Sequence, residues 1–233
     1  MKNYFQNKGI NLKKTDLNIK TIIGLAVAVF IVLCIVWFVG IFLTPKNYRI
    51  VRPINSELVS PYLTNYILPQ LYNKSQYGRP FDFEISQDGI NDIIARHADS
   101  NSLEEAGLSD LSVTFKLGRI LLTGKTDYHG FDFIVTMVLR PKIDRNGQFS
   151  LNGSKFRLGG SPMPFMAGAV EEKIINRLER HFKESKNAGF IKSLLNDSKV
   201  TPVFKINHSK LRIEKIIALD KKLIIHFSPQ QDG

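Results

Sequence analysis

Hydrophobic and polar positions follow three rhythms along the 233-residue chain. The first is an unbroken apolar run: residues 21–43, TIIGLAVAVFIVLCIVWFVGIFL, carry no charge. At a rise of about 1.5 Å per residue such a helix is roughly 35 Å long, enough to cross a hydrocarbon core of roughly 30 Å. A helix also bonds its backbone N–H and C=O groups internally, as lipid demands. Trp37, Phe38 and Phe42 gather at its C-terminal end, where aromatic rings favour the membrane–water interface. The run exceeds the roughly 7–15 apolar residues of a signal peptide, and no A-x-A-like site follows it. Cys34 lies mid-span behind Leu33, where a lipoprotein processing site would carry a small residue, and reads as a small apolar side chain. The pattern predicts a retained transmembrane helix over 21–43.

Beyond it, periods of two and of about 3.6 alternate. Ser60 and Pro61 read as an N-cap and a first-turn proline, followed by Tyr62, Leu63, Tyr66 and Ile67 at helical spacing until Pro69 bends or ends the helix. Phe81, Phe83 and Ile85 alternate with polar residues, predicting a strand. Ser86 then caps a helix whose Ile90, Ile93, Ile94 and His97 share a face. After a polar loop over 98–110, Leu111, Val113, Phe115 and Leu117 alternate with Ser112, Thr114 and Lys116, a strand with one wet face. A strand over 120–123 leads to a turn around Gly124 and 127–130.

Residues 131–139, FDFIVTMVL, set Phe131, Phe133, Val135, Met137 and Leu139 on one face. Ile134 and Val138 make the other face partly apolar, as in a strand covered on both sides. The chain continues through Pro141 and Ile143, turns at Asn146-Gly147 and returns through Phe149 and Leu151. A strand over 155–158 closes an antiparallel meander. A long helix starts from the run Gly159 to Pro164, with Met166, Val170, Ile174, Leu178 and Phe182 as its apolar stripe. It is uncharged on every face through Val170 and densely charged from Glu171. A polar link over 183–199 leads to strands over 200–206, 211–219 and 223–227, the last two a hairpin turning at 220–222.

Charge adds orientation and organisation. Residues 1–20 carry Lys2, Lys8, Lys13, Lys14 and Lys20 against Asp16, a net +4, and no apolar periodicity. The exit side of the span carries Lys46, Arg49 and Arg52, so the larger cationic flank predicts a cytoplasmic N-terminus and an extracytoplasmic C-terminal domain. The expected order is a basic tail over 1–20, the span over 21–43, a connector over 44–55 with Pro45 and Pro53, and an α+β domain over 56–233. The chain's +11 less the tail's +4 leaves +7 beyond the tail. A basic domain beside a membrane meets headgroups first, so membrane lipid, anionic phospholipid included, is its natural partner. Nucleic acid, the other partner of basic domains, is disfavoured by the predicted side of the membrane. Cys34 being the one cysteine, no disulfide helps the domain fold.

Candidate chemistry is sparse. Gly118 to Thr126, GRILLTGKT, imitates a phosphate-binding loop, but five residues separate its glycines where four are required, and a turn and a strand follow where a helix must begin. The histidines, His97, His129, His181, His208 and His226, lack a second His or Cys at ligand spacing, so neither a metal nor a cofactor is expected. No G-x-S-x-G elbow and no cysteine nucleophile outside the span is present. Glu104-Glu105 and Glu171-Glu172 read as polar surface. The residues point away from an enzyme.

Three stretches carry a resemblance. Ile85, Ser86, Ile90, Asn91, Ile93 and Ile94 form an IS-x-x-x-IN-x-II pattern. Pro141, Ile143, Asn146, Gly147, Phe149 and Leu151 form P-x-I-x-x-N-G-x-F-x-L, and Leu158 to Pro164 read LGGSPMP. Together with the anchor layout they resemble bacterial single-pass proteins of the YpmS type, with tubular lipid-binding (TULIP-like) domains, over about 80–227. The resemblance implies an α+β fold in which a curved antiparallel sheet wraps a long amphipathic helix, and a protein that holds acyl chains in an apolar groove and is not an enzyme. By position, Phe131, Phe133, Val135, Met137 and Leu139, with Met163, Met166, Val170 and Ile174, would line that groove. Two functions are therefore carried forward: an extracytoplasmic lipid-binding protein of the cell membrane, and a bitopic cell-envelope scaffold that binds a protein partner and no lipid.

Overall fold

The computed structural model describes residues 19–52, 58–97, 108–128, 131–151, 155–162, 199–206 and 209–230. Contacts divide the chain into two units, Met1–Val39 and Gly40–Gly233. The first holds most of α1 (Ile19–Phe42). Its stretch Ile22–Phe42 has a mean hydropathy of 3.2 and is long and apolar enough to cross a membrane, and its residues are exposed from Ile22 to Val39. Such a helix is apolar on all sides and has no stripe to turn toward a protein core.

In the second unit, Ser60 is fully buried and caps a helical stretch as expected, its Oγ accepting the Leu63 N–H at 3.4 Å and donating to the Asp92 carboxylate. Pro69 does not end that stretch. Leu63–Ile67 winds as a π-helix, with the Leu68 N–H reaching back to the Leu63 carbonyl, and α2 (Leu68–Gln76) then carries Pro69 in its first turn, the wider π-turn before it accommodating the missing N–H. Next come β1 (Phe81–Ser86) and α3 (Gln87–His97), with Ser86 Oγ accepting the Gly89 N–H at 3.1 Å as the cap. Gly89 has no alternative residue here, because the Tyr62 ring occupies the place of its Cβ.

The strands β2 (Ser109–Lys116), β3 (Arg119–Tyr128) and β4 (Phe131–Leu139) follow. A ribbon of β5 (Pro141–Ile143) and β6 (Phe149–Leu151) is inserted before β7 (Lys155–Leu158) and β8 (Ser161–Pro162). The chain ends in β9 (Val203–Ile206), β10 (Ser209–Leu219) and β11 (Lys222–Gln230). One sheet has the order β2-β3-β4-β7-β8 and another β1-β11-β10-β9; every pairing among the described strands is antiparallel. The fold is thus α+β, and the stripe of the expected long helix, Met166 to Phe182, lies outside the described residues.

Three local expectations are corrected. Gly124 is not a turn: β3 runs on to Tyr128, and Gly124 pairs with Val135 where a Cβ would press on the Leu111 side chain. The face of β2 expected to be wet is covered, with Ser112 at 2% and Thr114 at 6% exposure; Thr114 Oγ1 satisfies itself on the Asn47 carbonyl at 3.2 Å. Gly159-Gly160 is a turn between β7 and β8 and not the start of a helix.

Cores form where the sheets meet the helices. Ile67, Phe83, Leu211, Ile213 and Phe227 bury one cluster, against which Tyr62 and Tyr66 stack at 5.0 Å. Val113, Phe115, Ala218 and Leu223 bury another, joining β2 to the β10–β11 hairpin under Ile90 and Ile94 of α3. The outer edge of β2 is closed by side chains: Asn91 Oδ1 accepts the Val113 N–H at 2.7 Å, its Nδ2 donates to the Val113 carbonyl at 2.8 Å, and Gln87 Oε1 accepts the Phe115 N–H at 3.0 Å. Asn91→Ala strands a buried donor and acceptor on β2, so equilibrium unfolding of the full chain in detergent is expected to show a loss of about 3 kcal/mol. A loss below about 0.5 kcal/mol, the size of an ordinary surface change, would contradict this role.

Candidate functional site

The face of β4 named from sequence splits along its length. Val135 is buried at 5%, Phe133, Met137 and Leu139 are half-buried, and Phe131, at the strand's start, is 60% exposed. The centre is filled: Val135 forms a cluster with Ile41 and Leu158, with Leu108, Phe133 and Met137 packed against it. The Phe42 ring lies 5.5 Å from that of Phe133. On the opposite face Thr136 and Val138 are buried, and Thr136 shares a 3.1 Å hydroxyl hydrogen bond with Thr123 on β3. Both faces of β4 are therefore covered over Val135–Val138, as its double apolar pattern predicted. Met163, Met166, Val170 and Ile174 lie outside the described residues.

A pair of glycines admits Ile41 to this face. Gly159 sits at φ +54, and a Cβ there would collide with the Ile41 carbonyl. Its N–H bonds to the Ile134 carbonyl at 2.7 Å, while the Gly160 N–H bonds to the Gly40 carbonyl at 3.0 Å. The latter supplies a partner for one of the carbonyls that the last turn of a helix leaves unbonded. Sequence reasoning noticed these glycines but assigned them to a helix start. Their available signal was the buried Leu158 directly before them, a strand residue leading into a left-handed turn.

The connector is not slack either. Tyr48 donates its hydroxyl to the Asp110 carbonyl at 2.7 Å, laying residues 47–48 along β2. Burial, with the Asp110 carboxylate nearby and against the pull of Arg52, pushes the Tyr48 phenol up to about 12. At the tip of the β3–β4 hairpin Lys125 pairs with Asp132 at 2.7 Å, and that carboxylate raises the lysine above its ordinary range. Both partners are exposed, so the pair sets local charge more than stability.

A second apolar feature went unnoticed in the sequence. Leu68, Pro69, Leu71, Tyr72 and Asn73 of α2, with Ile206 of β9, line an open depression of about 550 Å³. Leu68 and Tyr72, four residues apart, stand exposed on its rim at 54% and 48%; that spacing was the signal. Among the described residues no three His, Cys, Asp or Glu side chains converge as a metal site requires, and His226 is engaged by Asp82 at 2.8 Å. No protein-family model matches the chain, and neither a curated protein nor a solved structure matches it.

Two outcomes test this geometry. Gly159→Ala forces an L-residue into the left-handed region against a carbonyl and is expected to cost about 2 kcal/mol or more, whereas Gly160→Ala, whose Cβ would meet the Gly40 carbonyl and Leu43 at ordinary van der Waals distances of 3.6 and 3.8 Å, should stay within about 0.5 kcal/mol; thermal unfolding of the two variants side by side decides it. For Tyr48, the folded pKa of about 12 lies above the ordinary 10.0. Its contribution is therefore whole below pH 10.0 and lost as the pH rises toward about 12. A phenolate absorbance titration of the native protein minus that of Tyr48→Phe should show one late-titrating phenol in that window.

Proposed function

We propose that this protein is a membrane-anchored lipid-binding protein whose basic domain lies on the extracytoplasmic side of the membrane. In this reading α1 crosses the bilayer with its Lys-rich tail in the cytoplasm. The domain over 56–233 takes the TULIP-like arrangement of YpmS-type proteins over about 80–227, its antiparallel sheet curving round the long helix that carries the stripe from Met166 to Phe182. Acyl chains lie between the two, and the domain's net cationic charge draws anionic phospholipid.

The observation that carries the reading is the apolar face of β4. It is buried at Val135 but emerges through half-buried Phe133 to Phe131 at 60% exposure, so an apolar wall runs from core to surface. Phe and Met side chains on such a wall suit flexible chains. The scaffold reading has one observation in its favour: the α2–β9 depression is an exposed apolar patch beside a β4 face partly filled by Ile41 and Leu158.

The test uses the full chain in vesicles containing a phospholipid with a photoactivatable diazirine near the end of one acyl chain, with adducts located by peptide mass spectrometry. Lipid carriage predicts adducts at Met137 or Leu139 in addition to those on α1. Adducts confined to α1, the residues just after it and Phe131 would overturn carriage and leave the scaffold as the working function.

A further inference from the structure

The sheet β1-β11-β10-β9 ends differently on its two sides. At β1 side chains answer the edge: Lys74 donates to the Asp82 carbonyl at 2.8 Å, and the Tyr62 hydroxyl accepts the Ser86 N–H at 2.8 Å. At β9 the ladder can be followed residue by residue. The Ile213 N–H bonds to the Pro202 carbonyl at 2.9 Å, and Phe204 and Ile206 follow at alternate positions, in register with Leu211 and Ser209. Alternation along an antiparallel ladder then turns the N–H and C=O of Lys205 toward the outer edge, with which no other described strand pairs. Side chains alternate as well. Phe204 and Ile206 share the face of Leu211 and Ser209, and Ser209 Oγ donates to the Ser75 carbonyl of α2 at 3.1 Å. That face holds the depression in which Leu68, Leu71 and Tyr72 stand beside Ile206, and Phe204 on it is 39% exposed. Lys205 is exposed on the opposite face, directly across from Lys210.

We infer that β9 is the docking edge for an extended segment of a partner protein in which apolar and acidic residues alternate. The segment adds antiparallel to β9, the mode by which a sheet edge recognises a peptide. Its apolar side chains lie beside Phe204 and Ile206 over the depression, and its carboxylates lie beside Lys205. Charge selects this occupant. Residues 58–80 and 199–210, which supply α2 and β9, carry Lys74, Arg79, Lys199, Lys205 and Lys210 and no Asp or Glu. The cross-strand neighbours Lys205 and Lys210 repel, and a carboxylate on a further strand relieves that repulsion. A second copy of this chain pairing β9 on β9 would bring four such lysines together, so like charge opposes it. An acyl chain would fill the depression but use neither the backbone of Lys205 nor its charge. The inference uses no residue of β4 and does not rest on acyl-chain carriage.

The test uses the full chain in nanodiscs, free of detergent that would fill the depression. The probe is a fluorescein-labelled heptapeptide alternating glutamate with leucine, followed by fluorescence anisotropy. Lys205→Glu, at an exposed site, should weaken its binding at least about fivefold, and a peptide with lysine in place of glutamate should bind that variant at least about fivefold better than the unaltered protein. The residue opposite Lys205 lies on the same face as Lys205 and turns its own N–H toward β9. N-methylation of the glutamate amides should therefore cost at least about tenfold, and N-methylation of the leucine amides, which face away, no more than about twofold. Three results would overturn the inference: no saturable binding of the glutamate peptide, affinity unchanged by Lys205→Glu, or equal losses from the two N-methylation patterns. So would diazirine-lipid adducts at Leu68 or Tyr72, which would assign the depression to lipid. Peptide binding that follows the expected pattern, with no adduct at Met137 or Leu139, leaves the docking edge standing and removes lipid carriage.

Discussion

The arrangement of the domain depends on one helix side chain standing in for a strand. Asn91 presents an acceptor and a donor to the backbone of Val113 in the way a neighbouring strand would, and Gln87 repeats half of that pattern at Phe115. An uncovered β2 would be an open edge at the start of its sheet, a template for unwanted pairing. Closing it with α3 has a second effect, because the same helix inserts Ile90 and Ile94 between β2 and the β10–β11 hairpin, and its first N–H, from Gln87, bonds to the Lys221 carbonyl. One short helix therefore satisfies an edge and joins two sheets. A buried asparagine is tolerable there only because all of this polarity is answered.

At the other end of the β2–β3–β4 sheet the constraint is steric. Ile41 reaches Val135 because Gly159 has no side chain and can hold a positive φ, and Gly160 then offers its N–H to the Gly40 carbonyl. The residues from Gly40 onward are therefore part of the domain by their contacts, although they are the last residues of an apolar helix. The connector continues this: Asn47 and Tyr48 are bonded to β2 and not strung as a free tether. Burial of Thr114, Thr123 and Thr136 follows the same logic of answered polarity, each hydroxyl finding a carbonyl or another hydroxyl close by.

Periodicity read the elements well where one face alone decides the pattern. The β4 alternation, the Ser60 and Ser86 caps and the C-terminal hairpin were legible because each depends on residues within a few positions of one another. It failed where distant chain intervened. Ser112 and Thr114 look like a wet face until Asn47 covers one of them, and Pro69 looks like a terminator until a π-helical turn absorbs its missing N–H. Of the candidate site, the face shared by Phe131 to Leu139 was legible, while the occupancy of its centre by Ile41 and Leu158 was not, since nothing in a strand's own alternation names what will lie upon it.

By itself the sequence determined a helix of membrane-crossing length and an antiparallel α+β domain with a strand apolar on both faces. These follow from composition and local period, which act through the hydrophobic effect and backbone geometry without reference to the rest of the chain. Tertiary structure alone decided that β1 pairs with β11, with Phe81 in register with Phe227, 146 residues later, that Asn91 closes β2, and that two glycines let the chain at Ile41 rest on β4. Those choices depend on which backbone edges remain unbonded and which surfaces leave room for another once the elements have met, and neither quantity exists in a linear chain.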